Sequence, residues 1–560
     1  MRSSTRVGLR FAAATLALAV VAGCGGPAVA PVAAPISVAV PSPASVPTVV
    51  TATAPAPAPV IAPAPARPAS PAFSLPLQSG DVPPPVPREF RAAWVATVAN
   101  IDWPSRPGLS PQEQRAETLR LLDRAQTLGL NAIILQVRPA GDAIFPSTLE
   151  PWSEYLSGEQ GRAPGQGAEA GYDPLAFWVQ EAHRRAIELH AWFNPFRARH
   201  SAAKSPLVAP HLGVRQSALV KRYGDMLWMD PGEPAAAAHT LAVVADVVRR
   251  YDIDGVHLDD YFYPYPVTMP GVGGVDLPFP DDDSYARYRL QGGALARDDW
   301  RRANVDALVR QLHALVHIVK PWVRLGISPF GIGKPDRRPA GVTGFSQYDR
   351  LYADVERWLG QGWLDYLAPQ LYWPIDREGQ PFAVLLDHWV TENTLRRHLW
   401  PGLFTSQVTP GAPGPAGTSA PWPAREILDQ VQVLRKRGDN AGGHIHFSMV
   451  ALMQDRDGVA TQLQAGPYAQ AALVPATPWL DDQPPPAPTL RLLGARVQIE
   501  PGAGEAAARW ALWRRQQGLW RFAVLPAGQR LFDADGADRV AVSAVDRVGN
   551  LSAQQILRLP

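Results

Sequence analysis

Cysteine is all but missing from this chain, which has one, Cys24. A single thiol excludes an internal disulfide framework and any zinc site built from several cysteines. Charge imbalance is missing too. Lys and Arg total 53 against 51 Asp and Glu, a formal net charge of +2, so there is neither a polybasic footprint for nucleic acid nor an acidic solvated tail. No glycine-rich phosphate turn follows an early strand pattern, which argues against a dinucleotide-binding, doubly wound sheet. The apolar run over residues 11–22 is too short for a comfortable membrane span.

Proline, by contrast, is abundant, and much of it lies in the first ninety residues. Before it, Arg2, Arg6 and Arg10 precede the apolar run, and Val21-Ala22-Gly23-Cys24 closes that run with small residues. This layout is that of a secretory signal peptide, and its last four residues resemble a bacterial lipobox. The resemblance implies a signal peptide over residues 1–23 and acylation of Cys24. It also implies a lipid-anchored protein of the cell envelope; Gly25, with no acidic residue beside it, resembles outer-membrane sorting toward the periplasm. Residues 24–87 are nearly all Ala, Pro, Val, Ser and Thr. They bury too little apolar surface to offset their ordering entropy, so they are expected to form an extended tether.

From residue 88 the pattern changes to alternating strands and helices. Apolar, β-branched runs predict strands over 90–98, 131–138, 188–196, 255–261, 324–330, 366–373, 402–408 and 443–450. Amphipathic stretches predict helices over 112–128, 174–186, 234–251, 299–319, 348–359, 382–398 and 423–437, with a last one after Asp457. Eight such units close naturally as a (β/α)₈ TIM barrel, an α/β fold, over residues 88–474. A proline cluster at 475–488 reads as a linker. Residues 489–560 carry short strand patterns and resemble an all-β fibronectin type III-like sandwich, with Trp510, Trp513 and Trp520 as either core or a sugar-binding face.

A barrel of this kind builds its active site at the carboxyl ends of its strands. The fourth strand reads Asp254-Gly255-Val256-His257-Leu258-Asp259-Asp260-Tyr261. Alternation turns Val256 and Leu258 toward the helices, and His257, Asp259 and Tyr261 toward the barrel mouth. Inward carboxylates are costly unless they meet solvent, substrate or a partner. Asp259 has a possible partner in Arg138, and Asp260 a possible role as a loop cap. The other strand ends offer Gln136, Arg138 and Asp142; Asn194; Asp230 before a helix; Gln370, Tyr372 and Trp373; and His446. Amides and arginine bind hydroxyls, and aromatic faces stack on pyranose rings. His444 and His446 share a strand, but no convincing third and fourth ligand accompanies them, so no metal and no other cofactor is expected.

Several of these motifs together resemble the glycosyl hydrolase-like 10 family, formerly a domain of unknown function. They are Arg91–Thr97 with Asp102-Trp103-Pro104, Gln136–Pro139 with Asp142, Ala191–Pro195, Asp230-Pro231-Gly232, Asp254–Tyr263 and Pro369–Trp373. The resemblance implies a TIM barrel acting on bacterial envelope glycans, with peptidoglycan strands as the leading substrate. Asp259 is then the expected nucleophile or base, with the acid expected at Asp230, then Asp260, then Asp142. Trp103, Gln136, Arg138, Asp142, Asn194, His257, Tyr261, Gln370, Tyr372, Trp373 and His446 are the expected sugar-binding set. The fourth strand also resembles chitinase barrels in part, but His257 and Tyr261 stand where those carry their second Asp and their Glu. The fifth strand ends Ser328-Pro329-Phe330, without the Glu that serves as acid in amylase-like barrels. Two rival expectations are a non-catalytic glycan-binding lipoprotein and a metal-dependent deacetylase of the same polymers.

Overall fold

A computed structural model describes residues 82–269, 274–408 and 421–560. The expected signal segment, Cys24 and the tether up to residue 81 lie outside the described residues. The strands of the barrel are β1 Phe90–Val95, β2 Ala132–Arg138, β3 Glu188–Phe193, β4 Gly255–Leu258, β5 Arg324–Ile327, β6 Tyr366–Leu367, β7 and β8 Gly443–His446. Strand β7 comes in two pieces, His398–Leu399 and Gly402–Leu403, because Pro401 has no N–H to offer the ladder. The nine parallel segments therefore form eight strands. The first piece of β7 pairs with β6 and the second with β8, and a bridge from Gln370 to Gly402 completes the closure.

Each strand is followed by a helix: α1 Pro111–Leu128, α2 Pro174–His183, α3 Pro234–Arg250, α4 Arg297–Val319, α5 Val355–Gly360, α6 Phe382–Glu392, α7 Ala424–Arg435 and α8 Val459–Ala465. Local chemistry sets their limits. Helix α1 begins at a capping box between Ser110 and Glu113 and stops at Gly129, whose φ of 77° suits a residue without Cβ. Helix α4 buries Val305, Leu308, Val309, Leu312 and Val316, one face at helical spacing.

The strands are buried on both faces. Ala93, Val95, Ile133, Leu135, Val256 and Leu258 pack outward beneath the helices. Phe90, Trp94, Ile134, Trp192, Tyr366, Trp400 and Ile445 fill the barrel. Large rings there need gaps opposite them. A Cβ on Gly326 would lie 1.8 Å from the Tyr366 ring, and one on Gly255 2.4 Å from His190.

The strands stop earlier than periodicity predicts. Strand β1 gives way to a 3₁₀ turn at Val98–Asn100, and β4 ends at Leu258, so Asp259–Tyr261 belong to the loop. Strand β7 lies upstream of its expected place, and Thr405–Gln407 is a 3₁₀ turn. Strand-like composition continues past the ladder because these residues line the mouth.

The C-terminal residues form a three-stranded and a four-stranded antiparallel sheet. They pack around Val497, Ile499, Trp510, Leu512, Val540 and Val542 as a fibronectin type III-like sandwich. Trp510 and Trp513 are both buried, the latter in a cluster with Leu473 and Val545, so packing is their role. The sandwich sits on the amino ends of the barrel strands. Arg88 donates to the carbonyls of Val474 (2.9 Å) and Gly549 (2.7 Å), and Arg324 Nε donates to Thr477 Oγ1 (2.7 Å). Arg509 reaches Glu188 at 3.4 Å and Asp254 at 3.6 Å, while Arg547 pairs with Asp252.

Candidate active site

The loop after β4 brings two adjacent carboxyls to the mouth, Asp259 and Asp260, only 4% and 3% exposed. Asp259 accepts hydrogen bonds from Trp192 Nε1 (2.9 Å) and Asn194 Nδ2 (3.1 Å), both from β3 and the residues just after it. The amide of Asn194 cannot be reversed, since its Oδ1 accepts from the backbone N–H of Arg197 at 2.9 Å. Arg197 also faces Asp259 electrostatically and lies 4.9 Å from the centre of the Tyr261 ring. Burial pushes Asp259 up to about 6, against the lowering effects of Arg197, Trp192 and Asn194.

Asp260 has poorer company. It accepts from the Tyr265 hydroxyl and the Gln370 side chain, with the charge of Asp259 beside it. Burial, reinforced by that charge, pushes it up to about 7. Aromatic rings, most of them half-buried, gather near the pair through Tyr265 and Tyr372. Tyr265 stacks on Phe345 at 5.2 Å, Phe330 meets Trp373 edge-on at 5.5 Å, and Tyr372 stacks on Phe404 at 4.9 Å. A deep pair of carboxyls poised near neutrality, in an aromatic cup, suits proton transfer at a sugar ring.

The expected residues divide into those at this cup and those behind it. Asp259, Asp260, Asn194, Tyr261, Gln370, Tyr372 and Trp373 gather at the cup, although Asn194 is fully buried and acts by holding Asp259. Asp230 belongs elsewhere: it accepts from Ser284 Oγ (2.7 Å) and the Gly232 N–H (2.8 Å), and no contact joins it to Asp259 or Asp260. Burial raises its pKa as well, but its partners are those of a loop clasp. Asp142, pushed up to about 7 by burial, is likewise a loop clasp that accepts from Ala140 N–H and Ser153. Of the three, Asp260 is the one that stands beside Asp259.

Besides Asp142, five expected sugar contacts are structural instead. Arg138 is fully buried, paired with Glu150 rather than Asp259, and its Nη1 donates to the carbonyls of Asn194 (2.6 Å) and Pro195 (3.0 Å). It shapes the loop that presents Asn194. Gln136 Oε1 accepts from the N–H groups of Thr97 (3.1 Å) and Val98 (2.9 Å), joining the ends of β1 and β2. Trp103 lies behind the strands, edge-on to Trp178, and donates to the Gln114 carbonyl. His446 is fully buried between Tyr468 and Thr405, at 2.7 Å from each hydroxyl. His257 is inside the barrel, where burial holds it well below its ordinary protonation range.

That interior position of His257 starts a directed chain. Trp94 Nε1 can only donate, so His257 Nε2 accepts from it at 3.1 Å and the proton of the neutral ring sits on Nδ1. His257 Nδ1 then donates to Tyr366 Oη (2.9 Å), Tyr366 donates to His190 Nδ1 (2.9 Å), and His190 Nε2 donates to Glu188 (3.2 Å). The mouth and the foot of the barrel are linked by this one line of bonds.

Trp192, Arg197 and Tyr265 stand outside the expected site, although Trp192 lies in the third strand's aromatic end. Trp192 shares its face with Asn194 at strand spacing, which was a usable signal. Arg197 and Tyr265 lie beyond their strands, where no period predicts direction.

The family model described as glycosyl hydrolase-like 10 matches residues 89–416. The chain belongs to the glycosyl hydrolase-like 10 family. The stretch shared with that family contains both carboxyls of the cup and ends before β8. Among named relatives, the glycosyl hydrolase YngK of Bacillus subtilis (strain 168) is 39% identical over 409 residues, 72% of this chain and 76% of its own length. The glycosyl hydrolase DigH of Escherichia coli (strain K12) is 36% identical over 337 residues, 56% of this chain and 72% of its own. Among solved structures, the PgaB (BpsB) glycoside hydrolase domain from Bordetella bronchiseptica aligns with a TM-score of 0.41 at 14% identity, over 67% of this chain and 98% of that domain.

Proposed function

We propose that this glycosyl hydrolase-like 10 protein cleaves β-linked amino-sugar glycan of the bacterial envelope, with peptidoglycan strands as its substrate. Asp259 acts as nucleophile or base and Asp260 as the acid. The observation that carries the reading is the pair itself: two adjacent buried carboxyls, pushed up to about 6 and about 7, within a half-buried aromatic cup. The more highly raised group keeps its proton near neutrality and can deliver it to the leaving oxygen. The other, held lower by Arg197, Trp192 and Asn194, is the better anion to face the anomeric carbon. Digestion of purified glycan strands, with products identified by mass, tests this. New reducing ends support glycosidase action; released acetate would instead establish a deacetylase, and intact strands a binder. Among the described residues, neither His444 nor His446 belongs to a group of three possible metal ligands, which disfavours a deacetylase centre on β8.

The same proposal includes delivery. Cys24 is acylated and the Ala/Pro-rich segment tethers the barrel to the membrane, giving it a high local concentration of glycan. Incorporation of labelled fatty acid into the wild type, and its loss with release from the membrane fraction in Cys24→Ala, is the expected result. A wild type that takes up no label refutes the anchor.

A further inference from the structure

A cluster at the foot of the barrel has no part in glycan cleavage. His313 and His317 lie one turn apart on α4 and face Asp365, the residue before β6. His317 Nε2 is 3.0 Å from Asp365 Oδ2, and His313 Nε2 is 3.9 Å from Oδ1. The two imidazoles meet at right angles with centres 4.3 Å apart. One donor atom from each of the three residues falls within 4.8 Å of the others. Bonds of about 2.0–2.2 Å to a tetrahedral zinc ion would separate neighbouring donors by roughly 3.3 Å. The His317–Asp365 Oδ2 distance is near that value, and His313, at 3.9 Å from the other oxygen, Oδ1, stands somewhat farther out.

The surroundings are those of a ligand set. Asp365 is fixed by the N–H of Leu325 at 2.7 Å and by Trp479 Nε1 at 2.9 Å, outer contacts of the kind that orient a ligating carboxylate. His313 Nε2 is buried without a hydrogen-bond partner, a cost that calls for a function. Arg397 lies nearby and opposes a cation, while the carboxylate of Asp365 attracts one. Two imidazoles with one carboxylate match a borderline metal better than calcium or magnesium, which prefer all-oxygen shells.

We propose that His313, His317 and Asp365 bind one Zn²⁺, with water completing the tetrahedron. The ion ties α4 to the amino end of β6 and, through Trp479, to the segment leading into the sandwich. It lies at the opposite end of the barrel from the carboxyl cup, so its effect is on stability. The expectation of no metal concerns the carboxyl ends of the strands, whereas this set combines a helix with a strand's amino end.

The test uses the full-length chain, purified without a polyhistidine tag and stripped of metal. Equilibrium dialysis against Zn²⁺, visible absorption with Co²⁺ as a probe, and melting with and without Zn²⁺ are compared for wild type and His313→Gln. His313 makes no hydrogen bond through Nε2, so this variant folds without losing one there. The expected result is one equivalent fewer of bound Zn²⁺, or affinity weakened more than ~10-fold, in the variant. The tetrahedral Co²⁺ bands and the Zn²⁺-dependent rise in Tm should disappear with it. Equal uptake and an equal rise in Tm in both proteins would overturn the proposal, as would a wild type that takes up no Zn²⁺.

Discussion

The two ends of the barrel bury carboxyl groups equally well and treat them in opposite ways. At the foot, against the effect of burial, Arg435, His444 and Arg91 hold Glu89 at about 2. Arg324 and Arg509 hold Glu188 below the usual carboxylate range, and His183 and Arg509 do the same for Asp254. At the mouth, burial prevails, and Asp259 and Asp260 rise to about 6 and about 7. Burial is common to both ends, but at the mouth it outweighs the one facing cation, Arg197, that lowers Asp259. The foot uses ionised groups to fix the sandwich to the barrel, while the mouth leaves two carboxyls short of positive charge and therefore able to exchange protons.

The largest effect should come from the mouth. Asp259→Asn and Asp260→Asn are each expected to lower glycan cleavage by ~10²–10⁴-fold, measured as reducing ends released from soluble strands. Retention of more than about a tenth of wild-type turnover in either variant would remove that residue from the chemistry. Stability should move the other way in Asp259→Asn. A carboxyl whose folded pKa lies above its unfolded value favours the native state at low pH, and that contribution is lost as pH rises from about 4 to about 6. Asp259→Asn should therefore melt above wild type at pH 8 and level with it below pH ~4. A lower Tm at pH 8 would mean that the mouth carboxylate is stabilising, and the contrast between the two ends would collapse.

The foot should show the reverse pattern. Arg509→Ala leaves Glu188 and Asp254 short of a cation and should cost about 3 kcal/mol, read from denaturant midpoints, with turnover per folded molecule unchanged. Removing every residue after Pro475 should cost more, since Thr477, Trp479, Arg509 and Arg547 all leave the barrel. The buried pairs from Arg509 to Glu188 and Asp254 tie the sandwich to the barrel. A truncated barrel as stable as the whole chain would show these pairs to be dispensable.

A smaller effect sharpens the assignment of the acid. The Tyr265 hydroxyl lowers the pKa of Asp260. In Tyr265→Phe that pKa should rise, moving the alkaline limb of the kcat/KM profile to higher pH, with less than a tenfold change at the optimum. A limb that stays in place would assign the acid elsewhere.

Much of this plan was legible from residue order. The alternation of Val256, His257 and Leu258 assigns the correct faces, since a strand's period of two leaves no other choice, while Asp259 lies in the loop just beyond. It did not say how far inward a residue lies, so His257 was expected at the mouth and is instead deep in the barrel. Arg138 was legible as inward-facing, but its partner Glu150 lies in a loop whose path no local pattern encodes. Asp230 and Asp260 look alike in sequence, both acidic and next to a loop; only the folded chain shows that one meets Ser284 and the other Asp259 and Tyr265. Where function depends on loops meeting across the mouth, period and propensity carry no information.

The line from Trp94 to Glu188 restricts how this barrel can change over generations. Each member has its donor or acceptor role imposed by the neighbour before it, so single replacements leave a mismatch sealed in the interior. Phe at position 366 would strand an imidazole N–H on one side and a bare ring nitrogen on the other. Glutamine at 190 could bridge Tyr366 and Glu188 only with its amide set one way round. Lineages of this fold should therefore exchange Trp94, His257, Tyr366, His190 and Glu188 as a group or keep all five, and the positions should covary even though the ends of the line never touch.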